Sequence, residues 1–597
     1  MSASTSTTPV TLLPSQVDHV NKITEILSYS PYALDLSSLG AGKTYTSSFI
    51  AMREPERYKH IVVIAPVSVK VKWLQMKKDY NIPIHTAVSY CELRSVKCKQ
   101  PKHGLLHRRD YKIQQQNPHG IGMIDVDKCE FSVSDMFKNM VETGVLLVID
   151  EIQNVKNVNS QFQACKALIK LIVEKFNVNA TESKSRILLL SGSPIDKTEQ
   201  AIHLFRSLHI MKRERLSYYD FRLHTVVWEG MQDIVDYANT INQNGMNDLI
   251  ESWGGLRRLL KLRDTYMTKL CYNIFQEVIK PSISSAMLPP VLGLNINKTN
   301  GFYHIIDNNE ADLLTAAVYN LGTAARFENQ QINGTLGLQS LRAISVAMLQ
   351  IETAKIGTFT RISREALINN PNQKVAICVN YTSTISDLVA NLSEFNPLVL
   401  DGSLNVTKRG NVLKQFQAPN TNNRLIIGNI HVMSTGIDLD DKDGRFPRIA
   451  FVSPNYSSIN LYQLGFRFLR ADTKSATELY FVYGVHACEN KILKVLSAKS
   501  RVMKETTPEQ AENGVVFPND HNSFTEFAPE GFTPRTIFDA STARARARYM
   551  ARHANEEPQE EPQEEPQEEP QEEPEVLETL DEIPEVHVED EEMTDVE

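Results

Sequence analysis

Cysteine is scarce in this chain. Seven are scattered over 597 residues, at positions 91, 98, 129, 165, 271, 378 and 488. So few, mostly far apart, do not make a disulfide scaffold, and they fit a reducing compartment. No stretch approaches the roughly 18 consecutive apolar residues of a membrane span. The opening residues, MSASTSTTPVTLLPSQ, lack a basic segment followed by an apolar one, so no secretory signal is expected. Lysine and arginine are missing altogether from Glu556 to Glu597. These absences argue against secreted, membrane-spanning and fibrous classes. The expectation is an intracellular protein of nucleus or cytoplasm. With domains of about 100–200 residues, the length leaves room for roughly three to four, and 42% hydrophobic content allows large cores.

The formal net charge of −9 hides an asymmetry. Glu556–Glu597 holds 21 of the 72 acidic residues, which leaves 51 against 63 basic residues in the rest. The body therefore carries about +12 and the tail −21, a pattern that suits a nucleic-acid-binding body with an acidic tail. The plainer reading is solubility alone. In the tail, EEPQ recurs through Glu556–Pro574. Proline at every fourth residue and like-charge repulsion predict an extended, disordered segment there. Ahead of it, ARARARYMAR carries Arg544, Arg546, Arg548 and Arg552, a basic arm for phosphate or simply a solvated linker. Periodicity fades after about residue 505, which predicts that the folded body ends there.

Short apolar runs punctuate the body: Ile61–Val67, Val145–Ile149, Ile187–Leu190, Val375–Val379, Leu425–Ile427, Ile449–Val452 and Leu479–Tyr483. Continuous runs of this length fit strands buried on both faces of a parallel sheet. Longer stretches of helical character separate them, so the predicted fold class is α/β in two lobes. Between the lobes, Met211–Ile279 contains amphipathic helical stretches such as Gly255–Leu270 and is expected to be a helical insertion. The expected layout is a first lobe over 1–209, the insertion over 210–290, a second lobe over 291–505, a basic linker over 506–555 and the acidic tail over 556–597.

Leu34–Thr46 reads LDLSSLGAGKTYT, an apolar stretch, a glycine-containing turn and the start of a helical pattern. Such a turn folds its backbone round a phosphate and aims N–H groups at it. Lys43 is placed to reach the terminal phosphates of a nucleotide and the Thr44 hydroxyl to ligate Mg²⁺. Ser37 stands where the general phosphate-loop pattern has glycine. About a hundred residues on, VLLVIDEIQ ends a predicted strand in adjacent carboxylates. Asp150 is the candidate metal ligand and Glu151 the candidate base for an attacking water.

With these two motifs in order, the chain resembles the superfamily 2 helicases and translocases, in particular the Swi/Snf-like branch, over roughly residues 10–500. Leu12–Gln16 resembles the glutamine motif, which implies that Gln16 reads adenine. Ser37–Thr44, with Gly40, Ala41 and Gly42, resembles motif I. Ile64–Trp73 resembles motif Ia and Ser89–Leu93 the next short motif. Asp150–Asn157 resembles motif II and Leu190–Ile195 motif III. Leu288-Pro289-Pro290 resembles the entry to the second lobe. Ile377–Leu392 and Leu400–Phe416, including Asp401, Gly402 and Arg409, resemble the motif IV region. Gly428–Leu439 resembles motif V, which implies nucleotide contacts from Gly436 and Asp438. Gln463–Arg470 resembles motif VI, which implies that Gln463 acts at the site and that Arg467 and Arg470 are arginine fingers.

The resemblance further implies two RecA-like lobes with ATP and Mg²⁺ at their seam. Motifs Ia, Ib, IV and V would hold nucleic-acid phosphates on the other side. Ser68, Lys70, Ser89, Ser403 and Thr435 are the candidates, although Ser or Thr on such loops is as often a turn residue. The pattern is broken at two further points: Gln153 stands where this branch usually has histidine, and Phe466 where it usually has glycine. Lys97–Lys112 is a basic patch without interleaved aromatics, suited to phosphate contact or to a solvated loop. Cys91, Cys98, His103, His107 and Cys129 lack zinc-site spacing.

The leading expectation is an ATP-driven translocase on double-stranded DNA, with transcription or replication proteins as further partners. The alternatives are a strand-separating helicase on DNA or RNA, and an NTP-gated scaffold that binds nucleic acid or polymerase without turnover. Large DNA viruses encode short relatives of this kind, and a viral source is one expectation.

Overall fold

The structure is a computed structural model of the chain. It describes residues 11–95, 103–116, 123–220, 222, 224–255, 264–287, 296–303, 336–470, 473–484, 487–507 and 525–527. The Leu288-Pro289-Pro290 segment, the acidic tail and the arginine-rich arm before it lie outside these residues.

The predicted α/β class is borne out. The first sheet is built from β1 (Tyr32–Asp35), β2 (His60–Ala65), β3 (Ile84–Ser89), β6 (Val145–Asp150), β7 (Arg186–Leu190) and β10 (Ser284–Ser285). The hairpin β4 (Leu106–Gln116) and β5 (Met123–Val133) lies between β3 and β6 in the chain, and the small hairpin β8 (Tyr218–Asp220) and β9 (Thr225–Val227) lies between β7 and β10. The sheet order is β10-β1-β7-β6-β2-β3, every pair parallel. β1, β6 and β7 are buried along their whole length, which is why their sequences are continuous apolar runs. Separate apolar clusters cover the two faces of this sheet.

The second sheet takes β11 (Ile296–Tyr303), β12 (Lys374–Val379), β13 (Leu398–Leu400), β14 (Leu425–Asn429), β15 (Arg448–Val452), β16 (Thr477–Gly484) and β17 (Thr525–Phe527). Its order is β13-β14-β12-β15-β16-β11-β17, again all parallel. It too has an apolar cluster on each face.

Three expectations need correction. The segment 210–290 is not a separate inserted body. Met231, Ile234, Phe275 and Val278 belong to the same cluster as Leu147 and Ile149 of β6, and β10 returns to pair with β1. Of the helix expected over Gly255–Leu270, Asp264–Leu270 is helical, while 256–263 lie outside the described residues. The body does not stop near 505 either, because β17 adds a strand to the second sheet. Finally, much of the basic patch read as an irregular segment is β4, paired with β5 in a ribbon of 11 residues a side. Neither strand carries a continuous apolar run of the kind that marked seven of the other strands.

Candidate functional site

The register of the first sheet brings its loops together. Asp35 of β1 pairs with Leu190 of β7, and Leu190 pairs with Asp150 of β6. Three strands thus end level, and the loops that follow them leave side by side. β7 lies between the strands bearing the phosphate-loop sequence and the acidic pair, so the Ser191 turn sits between those two loops.

The turn after β1 is a built cradle. Gly40 and Gly42 adopt φ of +88° and +97°, a region that favours glycine. A Cβ on Gly42 would lie 2.5 Å from Gln16 Nε2. Gly42 caps the helix Lys43–Arg53, whose first N–H groups have no intrahelical acceptor and therefore face the turn. Lys43 Nζ donates to the carbonyls of Ser37 at 2.7 Å and Ser38 at 3.2 Å. Burial lowers its pKa, although Asp35, Glu151 and Asp150 oppose that shift. Ser37, at the glycine position of the general pattern, belongs to a buried network. Its N–H donates to Asp35 Oδ1 at 2.9 Å and its Oγ is 3.3 Å from His19 Nε2. His19 in turn reaches Asp35 at 3.2 Å and Ser285 at 3.0 Å. No positive φ is needed at Ser37, so the serine costs nothing in backbone strain and pins the base of the loop.

Gln16, expected to read adenine, is bonded within the first lobe. Its Nε2 donates to Ala41 O at 3.0 Å and its Oε1 accepts from Leu13 N at 3.0 Å, so it ties the helix Pro14–Tyr29 to the loop.

Asp150 and Glu151 are both buried. Trp73 Nε1 donates to Asp150 Oδ2 at 2.8 Å, and Tyr90 Oη donates to the Asp150 and Glu151 carbonyls at 2.8 and 3.1 Å. Glu151 has a φ of +61°, so that tyrosine secures a backbone turn a glutamate seldom adopts. Burial, and then the neighbouring Glu151, push the Asp150 carboxyl up to about 7. Gln153 resolves another departure from the family pattern. Its Nε2 donates to Glu151 Oε2 while its Oε1 accepts from Ser191 Oγ at 2.7 Å. An amide supplies a donor and an acceptor at once, and it does so at any pH.

The second lobe closes on this site. Gln463 Nε2 donates to Glu151 Oε2 at 3.0 Å. Arg467 is buried, its Nε donating to Ser434 O at 2.6 Å, and it faces Glu151 and Asp150 electrostatically. Burial, then Arg470, bring its pKa down to about 10, which leaves it charged at neutral pH. Arg470 Nη1 lies 3.7 Å from the point a Cβ on Gly40 would occupy. Asp438 holds Arg470 Nε at 2.8 Å and lies 3.8 Å from Lys72 of the first lobe. Burial alone would raise the Asp438 pKa, but Arg470 and Lys72 outweigh it and draw it down to about 2. Lys43, Asp150, Glu151, Gln463, Arg467 and Arg470 therefore gather at one seam.

Phe466, the third departure, packs with Leu39 of the phosphate loop and with Ile459, Tyr462 and Met503. Its ring centroid is 5.0 Å from that of Tyr462. It is an apolar seal across the seam where a glycine would leave a hole. Phe466→Ala should destabilise the closed protein by about 3 kcal/mol, the lower end for a buried phenylalanine, and lower the thermal midpoint. An unchanged midpoint by calorimetry would remove Phe466 from the seal.

Other expected residues fall elsewhere. Ser89 is buried as the cap of the helix Tyr90–Arg94, accepting from Glu92 N at 3.2 Å, and is not open to phosphate. Lys70 Nζ is held by both oxygens of Glu92, at 2.6 and 2.7 Å. Gly436 presses on Ser68, whose Oγ lies 2.4 Å from where a Gly436 Cβ would be, and Asp438 is committed to Arg470 and Lys72. Ser68 and Thr435 remain at the seam between motifs Ia and V. Ser403 is exposed, its Oγ donating to Asp401 at 2.6 Å. Sequence reasoning did not single out Trp73, Tyr90, Lys72 or Ser191. All four lie inside recognised motifs, but no pattern within a motif tells which residue turns toward a partner on another strand.

Residues 358–471 match the family described as helicase conserved C-terminal domain. The chain carries a helicase C-terminal domain. The helicase reading is borne out across this domain, which runs from within the helix Ile356–Asn369 to just past Arg470. It therefore contains the motif V and VI residues that reach the first lobe. No curated protein matches the chain. Among solved structures, a Sulfolobus solfataricus SWI2/SNF2 ATPase core in complex with dsDNA is 15% identical, with 85% of this chain and 94% of that chain covered. Its TM-score of 0.28 is too low to carry an argument.

Proposed function

We propose that the protein is an ATP-driven nucleic-acid motor that hydrolyses ATP between its two lobes and moves along double-stranded DNA, as Swi/Snf-like translocases do. The observation that carries this reading is the meeting of Lys43 and Glu151 from one lobe with Gln463, Arg467 and Arg470 from the other.

The phosphate loop fits a triphosphate, since its two positive-φ glycines let the backbone turn and its helix N-terminus favours an anion. Lys43 neutralises the terminal phosphates, and Thr44 with Asp150 would hold Mg²⁺. That ion would supply positive charge to offset the phosphates. Glu151 orients and deprotonates the attacking water, with Gln153 and Gln463 fixing its carboxylate. Arg467 and Arg470 stabilise charge on the phosphoryl oxygens, and because they sit on the second lobe they act only when the seam is shut. This couples hydrolysis to lobe movement.

Duplex DNA as the track rests on the Swi/Snf-like cast of motifs Ia, II and III and on the basic body. The deciding experiment is ATP hydrolysis measured with duplex DNA, single-stranded DNA, RNA and no nucleic acid at matched salt. The largest stimulation is expected from duplex DNA. Preferential stimulation by single strands would shift the reading to strand separation, and no turnover with any of them would end the motor proposal.

A further inference from the structure

Asp196 follows motif III directly and is completely buried. A carboxylate cut off from water is costly unless charges and hydrogen bonds surround it. Here they come from both lobes. Lys156, near the end of motif II, lies 3.1 Å from Oδ1. Ser458 Oγ, on the second lobe, donates to Oδ2 at 3.0 Å. Lys499 Nζ stands 4.0 Å from Oδ2 and donates to the Tyr456 carbonyl at 2.8 Å. The Asp196 N–H donates to Gln200 Oε1 at 2.9 Å, which fixes its backbone on the first lobe. Lys156 and Lys499 more than offset the effect of burial and keep the carboxyl below the usual carboxylate range, so it is an anion at neutral pH.

The second-lobe partners are not scattered. Tyr456 and Ser458 open the helix Ser458–Gly465, which carries Gln463 and leads to Arg467 and Arg470. The carboxylate also lies at that helix's N-terminal end, where negative charge is favoured. Lys499 comes from the helix Ala487–Thr506, whose far end is bonded to the first lobe through Tyr272 to Glu505 at 2.8 Å and Gln276 to Thr506 at 2.7 Å. One buried anion therefore gathers motif III, the start of the arginine helix and the helix that straddles the seam.

We infer that Asp196 is a positioning residue for the hydrolysis reaction: it locks the N-terminal end of the helix Ser458–Gly465 against the first lobe and so aims Gln463, Arg467 and Arg470 at the phosphate loop. This deepens the motor reading and rests on it. Asp196 touches no reacting atom, and it acts through the arginine helix. As the seam opens, Ser458 leaves and water replaces it. Half-closed arrangements, with the carboxylate neither solvated nor fully bonded, are disfavoured, which makes closure more nearly all-or-none.

The test combines turnover with an assay that needs none. Asp196→Asn and Lys499→Met are each expected to lower kcat about tenfold or more, with KM for ATP within about twofold. The double variant is expected to lose less than the two single losses multiplied together, because both substitutions act through the same carboxylate contact. Ser458→Ala, which disturbs no charge, should lower kcat about threefold to tenfold. Hydrogen exchange of the 456–465 amides in the full chain should quicken in all of these variants. Normal kcat in the single variants, multiplied losses in the double variant, a loss carried only by KM, or unchanged exchange over 456–465 overturns the proposal. If the wild-type protein hydrolyses no ATP, the motor reading fails, while the exchange result still decides whether Asp196 holds the helix. If the wild type is active and the variants match it, only the positioning role fails.

Discussion

Glu151→Gln is expected to reduce nucleic-acid-stimulated ATP turnover by about a thousandfold while nucleotide affinity changes by less than about threefold. A positioned general base contributes roughly 10²–10⁴ to rate, and the substitution removes the charge while preserving shape. The surroundings of Glu151 make this a clean experiment. Its turn is secured by the Tyr90 hydroxyl on the two carbonyls, which a side-chain change does not disturb. Its Oε2 accepts from Gln153 and Gln463, and a glutamine oxygen can still accept from both. The closed seam should therefore survive, and the loss should appear in kcat. Turnover within threefold of wild type would show that another group activates the water and would remove the acidic pair from the mechanism.

Arg467→Ala should cost about as much, since an arginine donated across such a seam contributes roughly 10³–10⁵. Arg467 is held by the Ser434 carbonyl on its own lobe and faces Glu151 and Asp150 on the other. Its guanidinium is thus aimed by one lobe at the chemistry of the other. Arg467→Lys is expected to rescue little, because an ammonium cannot hold the Ser434 carbonyl through Nε and present a planar fork to phosphate at the same time. Binding of a fluorescent ATP analogue should persist in both variants. Retention of half the wild-type turnover in Arg467→Ala would mean that closure of the seam serves a purpose other than hydrolysis.

The three departures from the family pattern explain how far motif reading reaches. At Ser37 the sequence signalled an irregular phosphate loop, yet the residue is part of a network with His19, Asp35 and Ser285, the last of which is 248 positions away in the chain. Gln153 looked like a weakened motif II, yet it bridges Glu151 to Ser191 and keeps motifs II and III in contact. Phe466 looked like a damaged motif VI, yet it fills the seam against Leu39. Each substitution is matched by a partner distant in sequence, and a motif written as a local string cannot display such a partner.

Ser89 and Lys70 illustrate the same limit from the other side. Their residue types suit phosphate contact, but Glu92 takes both, one by capping a helix and the other by an ion pair. The hairpin of β4 and β5 escaped notice because its strands pair only with each other and neither carries a continuous apolar run.

The amino-acid sequence by itself determined the α/β class and the positions of seven central strands, because strands buried on both faces must be short apolar runs. It also determined the phosphate-loop and acidic-pair motifs, because backbone chemistry at a glycine turn and a strand end is local. Tertiary structure alone decided which carboxylates, amides and guanidinium groups share a seam, which serines are caps, and that Asp196 draws partners from both lobes. Those outcomes depend on strand register and on two lobes closing together, and hydrogen bonds between residues hundreds of positions apart leave no periodic mark on the chain.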